Sequence, residues 1–283
     1  MTRPVVHEGI AALRAALAGR STALVPTMGA LHAGHLSLVE LAAGLADTVV
    51  VSIFVNPLQF GPSEDLDRYP RDLEGDLEAL SRFDGVVVFA PSVAEMYPAG
   101  APGTKVVGGP VTALYEGRSR PGHFDGVLTV VAKLLGIVGP EVAVFGQKDA
   151  QQLFLIERMV AELNIPTRVV AGAIERAEDG LALSSRNRFL SAEERRAATA
   201  LHRALEAAQA SADHGLAAAV AAAQSVVVGE ELVRLDYLEV VDPGTFLPVG
   251  DDHRGPARAL IAAQLGSTRL IDNDALYLNR ARP

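Results

Sequence analysis

The first 170 residues of the chain alternate short apolar runs with amphipathic stretches. This alternation is typical of a parallel α/β sheet, in which helices connect buried strands. The apolar, mostly β-branched runs predict strands at residues 22–25, 48–55, 85–89, 141–145 and 167–171. The stretches between them have helical spacing, and we expect helices at residues 35–45, 71–82, 124–138 and 151–163. The first 20 residues predict one further amphipathic helix.

The pattern changes near residue 175, where a polar loop precedes an Ala-rich region at 191–228. Its Leu and Val spacing predicts a pair of ordered helices, interrupted near His214 and Gly215. Three strand-like segments follow at 235–241, 257–263 and 268–272. We therefore expect two domains, residues 1–174 and residues 175–283, the second smaller and of α+β type.

Composition narrows the class of protein. Of 283 residues, 49% are hydrophobic and 21% charged, which fits a globular protein. The formal net charge of −9 argues against a broad nucleic-acid or anionic-membrane surface. No run approaches the ~18 apolar residues of a membrane span, and Glu8, Arg14 and Arg20 interrupt the pattern that a signal peptide needs. We expect a soluble cytoplasmic protein with no nucleic-acid or membrane partner.

The chain has no cysteine, which excludes disulfides, thiolate zinc sites and a cysteine nucleophile together. Lysine is scarce, because only Lys105, Lys133 and Lys148 occur among 25 basic residues. A lysine in such an Arg-rich chain indicates either a need for the compact ammonium or chance, and composition alone leaves both open.

The first motif with chemical content is His32-Ala33-Gly34-His35, which follows the first predicted strand and opens a helix. Open α/β sheets bind ligands at the carboxyl ends of their strands. A helix N-terminus there offers N–H groups to a phosphate, and histidines three residues apart are able to face the same ligand. Imidazoles in that position stabilise charge on a leaving pyrophosphate. The alternative is a structural histidine pair.

Two common nucleotide-binding motifs, G-x-G-x-x-G and G-x-x-x-x-G-K-[ST], do not occur in the sequence. The sequence therefore gives no motif support for hydride transfer or for P-loop phosphoryl transfer.

Two further motifs have the residue types of a triphosphate site. After a predicted strand, Lys148 is placed to neutralise an ATP phosphate, Asp149 to bind Mg²⁺, and Gln152 to face the same way one turn later. The alternative is a solvated helix start capped by Asp149. Ser184, Ser185 and Arg186 lie in a polar loop that suits a mobile segment closing over phosphates; an ordinary cap and linker is the alternative.

The order of these motifs is that of adenylate-forming nucleotidyltransferases, and the chain resembles the pantothenate synthetase (pantoate–β-alanine ligase) family of the HxGH nucleotidyltransferase superfamily. The likeness runs from about residue 20 to residue 273. It rests on the blocks 26–35 (PTMGALHAGH), 51–60 (VSIFVNPLQF), 69–71 (YPR), 120–124 (RPGHF), 145–149 (FGQKD), 184–188 (SSRNR) and 268–273 (TRLIDN).

The resemblance implies a Rossmann-like N-terminal domain that binds ATP and pantoate, a C-terminal lid domain and a homodimer. It implies a reaction in two steps, in which pantoate and ATP form pantoyl adenylate and pyrophosphate, and β-alanine then displaces AMP to give pantothenate. The implied catalytic residues are His32, His35, Lys148 and Arg186, and the position of His35 is the family's proton donor.

The resemblance also implies binding residues. The implied ATP-binding residues are Met28, Gly29, Ala30, Leu31, His32, Ala33, Gly34, His35, Gly146, Gln147, Lys148, Asp149, Glu175, Leu183, Ser184, Ser185 and Arg186. The implied pantoate and β-alanine residues are Asn56, Gln59, Arg120, His123 and Gln152, with Asn56 supporting Gln59. A structural turn is an equal alternative for Arg120 and His123. The implied Mg²⁺ carboxylates are Asp76 and Asp149.

This chain departs from the family pattern at several of these positions. Gln147 replaces a usual Glu, Ala150 a usual aromatic residue, Leu183 a usual Met, and Glu175 an apolar residue that contacts the nucleotide. Gly75 stands where an acidic residue occurs in the family, which leaves Asp76 as the better match. Two other functions stay open: adenylyl transfer to a phosphorylated acceptor, and a non-catalytic nucleotide-binding module. The neutral Gln59 and Gln152 disfavour the first, because a phosphate acceptor favours Arg or Lys.

Overall fold

We describe the protein from a computed structural model that covers residues 3–61, 66 and 69–279. The chain forms two compact units. Unit 1 runs to Gln147 and again from Gln151 to Ala173. Unit 2 comprises Lys148–Ala150 and the chain from Ile174 onward.

Unit 1 contains a six-stranded parallel sheet with the order β1-β4-β3-β2-β5-β6. Its strands are β1 (Val5–His7), β2 (Thr22–Thr27), β3 (Thr48–Ile53), β4 (Val86–Phe89), β5 (Val142–Gly146) and β6 (Arg168–Gly172). The central strands are continuous apolar runs because helices cover both faces of such a sheet, and Val25, Val51 and Val88 are completely buried. The sheet confirms the predicted α/β class and all five predicted strands of this region.

The helices of unit 1 connect these strands. They are α1 (Ile10–Leu17), α2 (Ala33–Ala43), α3 (Leu73–Leu80), α4 (Val93–Met96), α5 (Glu116–Ser119), α6 (His123–Val138) and α7 (Ala150–Glu162), whose first residue belongs to unit 2. The prediction of one helix over the first 20 residues is wrong. Among residues 3–20, which the structure describes, only 10–17 form an α-helix, and Val5–His7 pairs with β4 as an edge strand. That pairing partner lies about 80 residues away, so local periodicity could not indicate it.

The carboxyl ends of β2 and β5 diverge. These strands pair only at Ala23 with Val142 and at Leu24 with Ala143, although β2 continues to Thr27 and β5 to Gly146. Here the strand order also reverses, since β3 and β4 lie on one side of β2, and β5 and β6 on the other. Such a switch point is where open α/β sheets bind ligands.

The described residues of unit 2 form three α-helices and a three-stranded antiparallel sheet of order β7-β8-β9. The elements are α8 (Ala192–Ala197), α9 (Thr199–Ser211), α10 (Leu216–Val228), β7 (Arg234–Val241), β8 (Gly255–Leu265) and β9 (Thr268–Leu278). The predicted helix pair and its break are confirmed: a 3-10 turn covers Ala212–His214, and Gly215 has a φ of 94°. Buried alanines, including Ala204 on α9 and Ala223 on α10, allow these helices to pack closely.

Strand β9 extends six residues beyond the predicted 268–272, to Leu278. The sequence turns polar at Asp272 and Asn273, which argues against a buried strand. Both side chains are nevertheless buried, because each is paired within unit 2. Among the residues that the structure describes, no helix is both long and apolar enough to cross a membrane.

Candidate active site

The turn after β2 is held in an unusual backbone conformation by a carboxylate. Gly29 and Ala30 have φ values of 81° and 53°, in the left-handed region that a non-glycine residue rarely adopts. Asp76, on α3, accepts the N–H of Ala30 at 3.0 Å and that of Leu31 at 2.7 Å. Asp76 is only 3% exposed, and its two hydrogen bonds connect this turn to α3.

The two histidines cap the helix that follows. His32 Nδ1 accepts the Gly34 N–H at 3.2 Å, and His35 Nδ1 accepts the His32 N–H at 3.4 Å. The ring centroids are 4.1 Å apart. Because each Nδ1 accepts a backbone hydrogen, the proton of each neutral ring is on Nε2. The N-terminus of α2 therefore carries two imidazole N–H donors in addition to its positive dipole end, an arrangement suited to an anion.

Asn56 fixes the loop after β3, where a 3-10 turn covers Pro57–Gln59. Its Oδ1 accepts the Tyr97 hydroxyl at 2.8 Å and the Leu58 N–H at 3.3 Å. Its Nδ2 donates to Gln59 Oε1 at 3.2 Å and to the Gly126 carbonyl at 3.1 Å. Asn56 is 1% exposed, and both ends of its amide are paired, which orients the Gln59 side chain.

The other end of the Gln59 amide faces Met28. Its Nε2 lies 2.9 Å from the Met28 sulfur, and a thioether is a weak acceptor. A ligand hydroxyl or carboxylate would therefore be a better partner for this N–H group. This contact joins the turn after β2 to the loop after β3.

Arg120 and His123 hold the backbone of Gln59. His123 Nδ1 is 2.8 Å from the Gln59 carbonyl, and an Arg120 Nη2 donates to the same oxygen at 3.3 Å. Because a carbonyl only accepts, His123 carries its proton on Nδ1, and its Nε2 accepts from Arg120 Nη1 at 2.9 Å. Both predicted site residues thus contact Gln59 through its main chain.

Gln151 and Gln152 differ in their surroundings. Gln151 is buried, donates to the carbonyls of Val111 and Leu114 at 2.8 and 2.9 Å, and accepts the Glu116 N–H at 3.1 Å. It anchors the 111–116 segment, a role that sequence reasoning missed. Gln152 is half-buried, and its side chain has no hydrogen-bond partner within the described part of the chain.

In unit 2, Lys148 is held through its backbone. Its carbonyl accepts the Asn273 side-chain N–H at 2.9 Å, and Arg258 in turn donates to Asn273. The Lys148 ammonium is 3.8 Å from the Asp149 carboxylate, a loose pair. The side chain is therefore anchored at its base, while its charge is not fully neutralised.

The predicted Ser/Arg loop follows a short hairpin. Leu183 donates its N–H to the Glu175 carbonyl at 2.8 Å, so Glu175 contributes its main chain to the hairpin while its side chain is exposed. Ser184 Oγ accepts the Arg186 N–H at 3.2 Å and starts the 3-10 turn Ser185–Phe189. The guanidinium of Arg186 is exposed and has no polar partner among residues 3–61, 66 and 69–279.

The predicted site residues are thus divided between the units. Unit 1 brings Met28, Asn56, Gln59, Arg120 and His123 into one network, and it contains the turn 29–31 with Asp76, the His32–His35 cap, Gly146, Gln147 and Gln152. Unit 2 contains Lys148, Asp149, Glu175, Leu183, Ser184, Ser185 and Arg186.

Tyr97 and Gly126 are site neighbours that sequence reasoning missed. Burial raises the pKa of Tyr97 to about 12. A Cβ on Gly126 would lie 2.2 Å from the Leu58 carbonyl oxygen, so only glycine allows α6 to approach the 57–59 turn. Glycine within a predicted helix was the available signal for that close approach.

Asp76 and Asp149 are the predicted Mg²⁺ carboxylates. The described residues contain no group of three His, Asp or Glu side chains arranged to hold a metal. Both Asp76 oxygens accept backbone N–H groups, and its metal role remains a prediction. Asp149 is 48% exposed. One accessible carboxylate fits the chemistry of Mg²⁺, which uses one or two protein carboxylates together with substrate phosphates.

The class defined by this geometry is a Rossmann-like α/β fold with a histidine-capped helix at its switch point. A family model described as "Pantoate-beta-alanine ligase" matches residues 4–275. The pantothenate synthetase of Leifsonia xyli subsp. xyli (strain CTCB07) is 59% identical over 257 residues, which cover 90% of this chain and 88% of that protein. The chain belongs to the pantoate–β-alanine ligase family.

Solved structures agree with this assignment. The crystal structure of pantothenate synthetase from Thermus thermophilus has a TM-score of 0.91 at 50% identity, covering 96% of this chain and 99% of that one. The pantoate–β-alanine ligase from Francisella tularensis, complexed with beta-gamma ATP and β-alanine, has a TM-score of 0.78 at 33% identity. That match covers 96% of this chain and 97% of the other.

Proposed function

We propose that this protein condenses pantoate with β-alanine at the expense of ATP, with pantoyl adenylate as the intermediate. The observation that carries this proposal is the pair of histidine N–H donors that caps α2 beside the switch point, in a member of this ligase family. The donors suit a phosphate, and the neutral amides of Gln59 and Gln152 suit an acid with hydroxyl groups.

In the first step, a pantoate carboxylate oxygen attacks the α-phosphorus of ATP. The bond from that phosphorus to the β-phosphate oxygen breaks, and pyrophosphate leaves. The carboxylate is already ionised at neutral pH, so the step requires positioning and charge stabilisation without a general base. The Nε2–H groups of His32 and His35 donate hydrogen bonds to the phosphates, and His35 stabilises the charge that develops on the leaving pyrophosphate.

Residues of unit 2 add positive charge and hydrogen bonds. We assign the Lys148 ammonium and the Arg186 guanidinium to the phosphates of ATP, together with the hydroxyls of Ser184 and Ser185. Arg186 is exposed, and the Lys148 ammonium forms a loose pair with Asp149 at 3.8 Å. Both charges can therefore act on a ligand. Asp149 is the proposed protein carboxylate for a Mg²⁺ ion that arrives with ATP.

In the second step, the β-alanine amine attacks the acyl carbon of pantoyl adenylate. The bond from that carbon to the phosphate oxygen breaks, AMP leaves, and the new amide nitrogen releases one proton to water. Gln59 and Gln152 are assigned to pantoate, with Met28 as an apolar contact. Asn56, Arg120 and His123 keep Gln59 in position through the contacts described above.

The test measures pyrophosphate release from ATP and Mg²⁺ with and without pantoate, followed by AMP and amide formation on addition of β-alanine. We expect pantoate-dependent pyrophosphate, and amide only when β-alanine is present. His35→Ala is expected to lose most of the release, whereas His214→Ala, at an exposed histidine of unit 2, keeps it. A folded protein that binds ATP but releases no pyrophosphate with pantoate would overturn the proposal, and a retained dinucleotide product would favour a phosphorylated acceptor.

We also propose a cytoplasmic homodimer, as the family resemblance implies. Light scattering of the purified protein across a concentration series tests the dimer: a mass of one chain, 29.7 kDa, at all concentrations would contradict it.

A further inference from the structure

Tyr97 is a buried tyrosine next to the Asn56–Gln59 pair, and none of the motifs includes it. It directly follows α4, with 6% of its surface exposed. Its ring lies 6.1 Å from the ring of Phe54, and the Lys133 ammonium is 5.6 Å from its centroid. Its hydroxyl donates to Asn56 Oδ1 at 2.8 Å. The ring is thus held on two sides, and its polar end is directed at one acceptor.

We propose that Tyr97 is a positioning residue for pantoate, which acts by holding the Asn56 amide that orients Gln59. The proposal rests on the proposed function, specifically on the assignment of Gln59 to pantoate. Tyr97 itself is not proposed to touch substrate.

The lengths of the hydrogen bonds support this role. Asn56 makes four side-chain hydrogen bonds, and the three others are 3.1, 3.2 and 3.3 Å long. The Tyr97 bond, at 2.8 Å, is the shortest and has the usual length for an O–H donor. Without it, Asn56 Oδ1 keeps only the long bond from Leu58, and the amide that supports Gln59 loses its strongest restraint.

The hydroxyl is also a constant donor. Burial raises the pKa of Tyr97 to about 12, so the phenol keeps its proton at neutral pH. Lys133 packs over the ring and leaves the hydroxyl directed at Asn56. The ring and the hydroxyl thus have different roles: the ring fills space in the core, and the hydroxyl positions the Asn56 amide.

The test is Tyr97→Phe, which keeps the ring and removes the donor. At saturating ATP we expect the KM for pantoate to rise about tenfold, the loss of one buried hydrogen bond, with little change in kcat or in the KM for ATP. The matched control is Thr167→Val, which removes a buried hydroxyl that donates to the Pro140 carbonyl at 2.8 Å, just before β6 and at the opposite end of the sheet. An equal rise in the KM for pantoate in both variants would mean that Tyr97 contributes only to the stability of the fold, which would overturn the proposal.

A double-mutant cycle with Gln59→Ala decides the route. If Tyr97 acts through Gln59, Tyr97→Phe causes no further rise in the KM for pantoate in the Gln59→Ala background. If the rise in the double variant equals the product of the two single rises, Tyr97 acts independently of Gln59, which overturns the proposal. If Gln59→Ala alone leaves the KM for pantoate unchanged, the assignment of Gln59 in the proposed function fails instead, and that outcome is distinct from a failure of Tyr97.

Discussion

Asp76 and Leu31 are 45 residues apart in the chain, and the carboxylate of the first accepts the N–H of the second at 2.7 Å. The other carboxylate oxygen accepts the Ala30 N–H at 3.0 Å. This buried carboxylate therefore sets the conformation of the turn that leads into the His32–His35 cap. In this structure both oxygens of Asp76 bind backbone N–H groups of the turn. Its contact with Mg²⁺ stays a prediction.

Asp76→Asn is expected to weaken ATP use by disturbing this turn. An amide has one acceptor oxygen, so its NH₂ group would face one of the two backbone N–H donors. We expect a loss of about 1–3 kcal/mol in stability and a higher KM for ATP, with a smaller effect on the KM for pantoate. Thermal denaturation and steady-state kinetics measure these changes.

Asp72→Asn is the matched control, because Asp72 caps the same helix by accepting the Gly75 N–H. Asn and Asp are similarly good N-caps, so this variant is expected to behave like the wild type. If Asp76→Asn shows unchanged ATP kinetics, the turn does not depend on the carboxylate.

Gly29→Ala is expected to disturb the same turn, because the added methyl group would crowd the Asp76 carboxylate. Gly29 has a φ of 81°, and a Cβ there would lie 2.8 Å from an Asp76 oxygen and 3.1 Å from a methyl carbon of Ile53. Gly19→Ala is the control, since Gly19 has a φ of 74° but open space around its Cβ position. Both variants carry the backbone strain of about 1 kcal/mol, and only Gly29→Ala should raise the KM for ATP. Equal kinetics in the two variants would show that the contact with Asp76 is unimportant.

How much of the fold could be predicted from the sequence depends on how far apart in the chain the contacting residues are. Five of the six strands of the parallel sheet and the Ala-rich helix pair follow from local patterns, and they are confirmed. β1 was missed because it is defined by its pairing with β4, which is distant in the chain. The end of β9 was missed because Asp272 and Asn273 are polar, and their burial depends on hydrogen bonds to Arg176 and Lys148.

The same limit applies to the candidate site. His32 and Lys148 were predicted from their residue types and order along the chain, and Gln59 from the family resemblance; their roles stay predictions. Tyr97 and Gln151 were missed, because their roles depend on bonds to Asn56 and to the 111–116 segment. The Mg²⁺ assignment of Asp76 came from resemblance alone, and its contact with the turn at 30–31 could not be inferred from spacing.

Tyr97 should titrate at unusually high pH. Burial raises its pKa from 10.0 to about 12. Because the folded-state pKa is above the unfolded value, the stability linked to this phenol is fully present below pH 10 and is lost as the pH rises towards 12. The tyrosinate absorbance of the wild type minus that of Tyr97→Phe isolates this group. A difference titration centred near the ordinary value of 10.0 would contradict the burial of the phenol.

The ion pair between Arg176 and Asp272 should stabilise unit 2. Asp272 accepts both guanidinium nitrogens of Arg176 at 2.6 and 3.1 Å, and its side chain is 2% exposed. Asp272→Asn leaves a cation without its partner, and we expect a loss of about 3 kcal/mol in the free energy of unfolding. Asp236→Asn breaks a more exposed pair with Arg269 and should cost no more than about 1 kcal/mol. Equal losses in denaturant unfolding would show that burial of the pair makes no difference.

Lys148→Ala should lower the rate of adenylate formation by orders of magnitude and leave the fold intact. The side chain is dispensable for folding because Asn273 holds Lys148 through its carbonyl, and the variant keeps that oxygen. The rate depends on the ammonium because charge on the phosphates increases as pyrophosphate leaves, and a fixed cation beside them stabilises the transition state more than the bound ATP. Pantoate-dependent pyrophosphate release measures the rate, and circular dichroism with thermal denaturation checks the fold. Lys105→Ala, at an exposed lysine of unit 1, is the control and should retain wild-type turnover. Near-normal turnover in Lys148→Ala would remove this lysine from the mechanism and transfer the charge stabilisation to Arg186 and the two histidines.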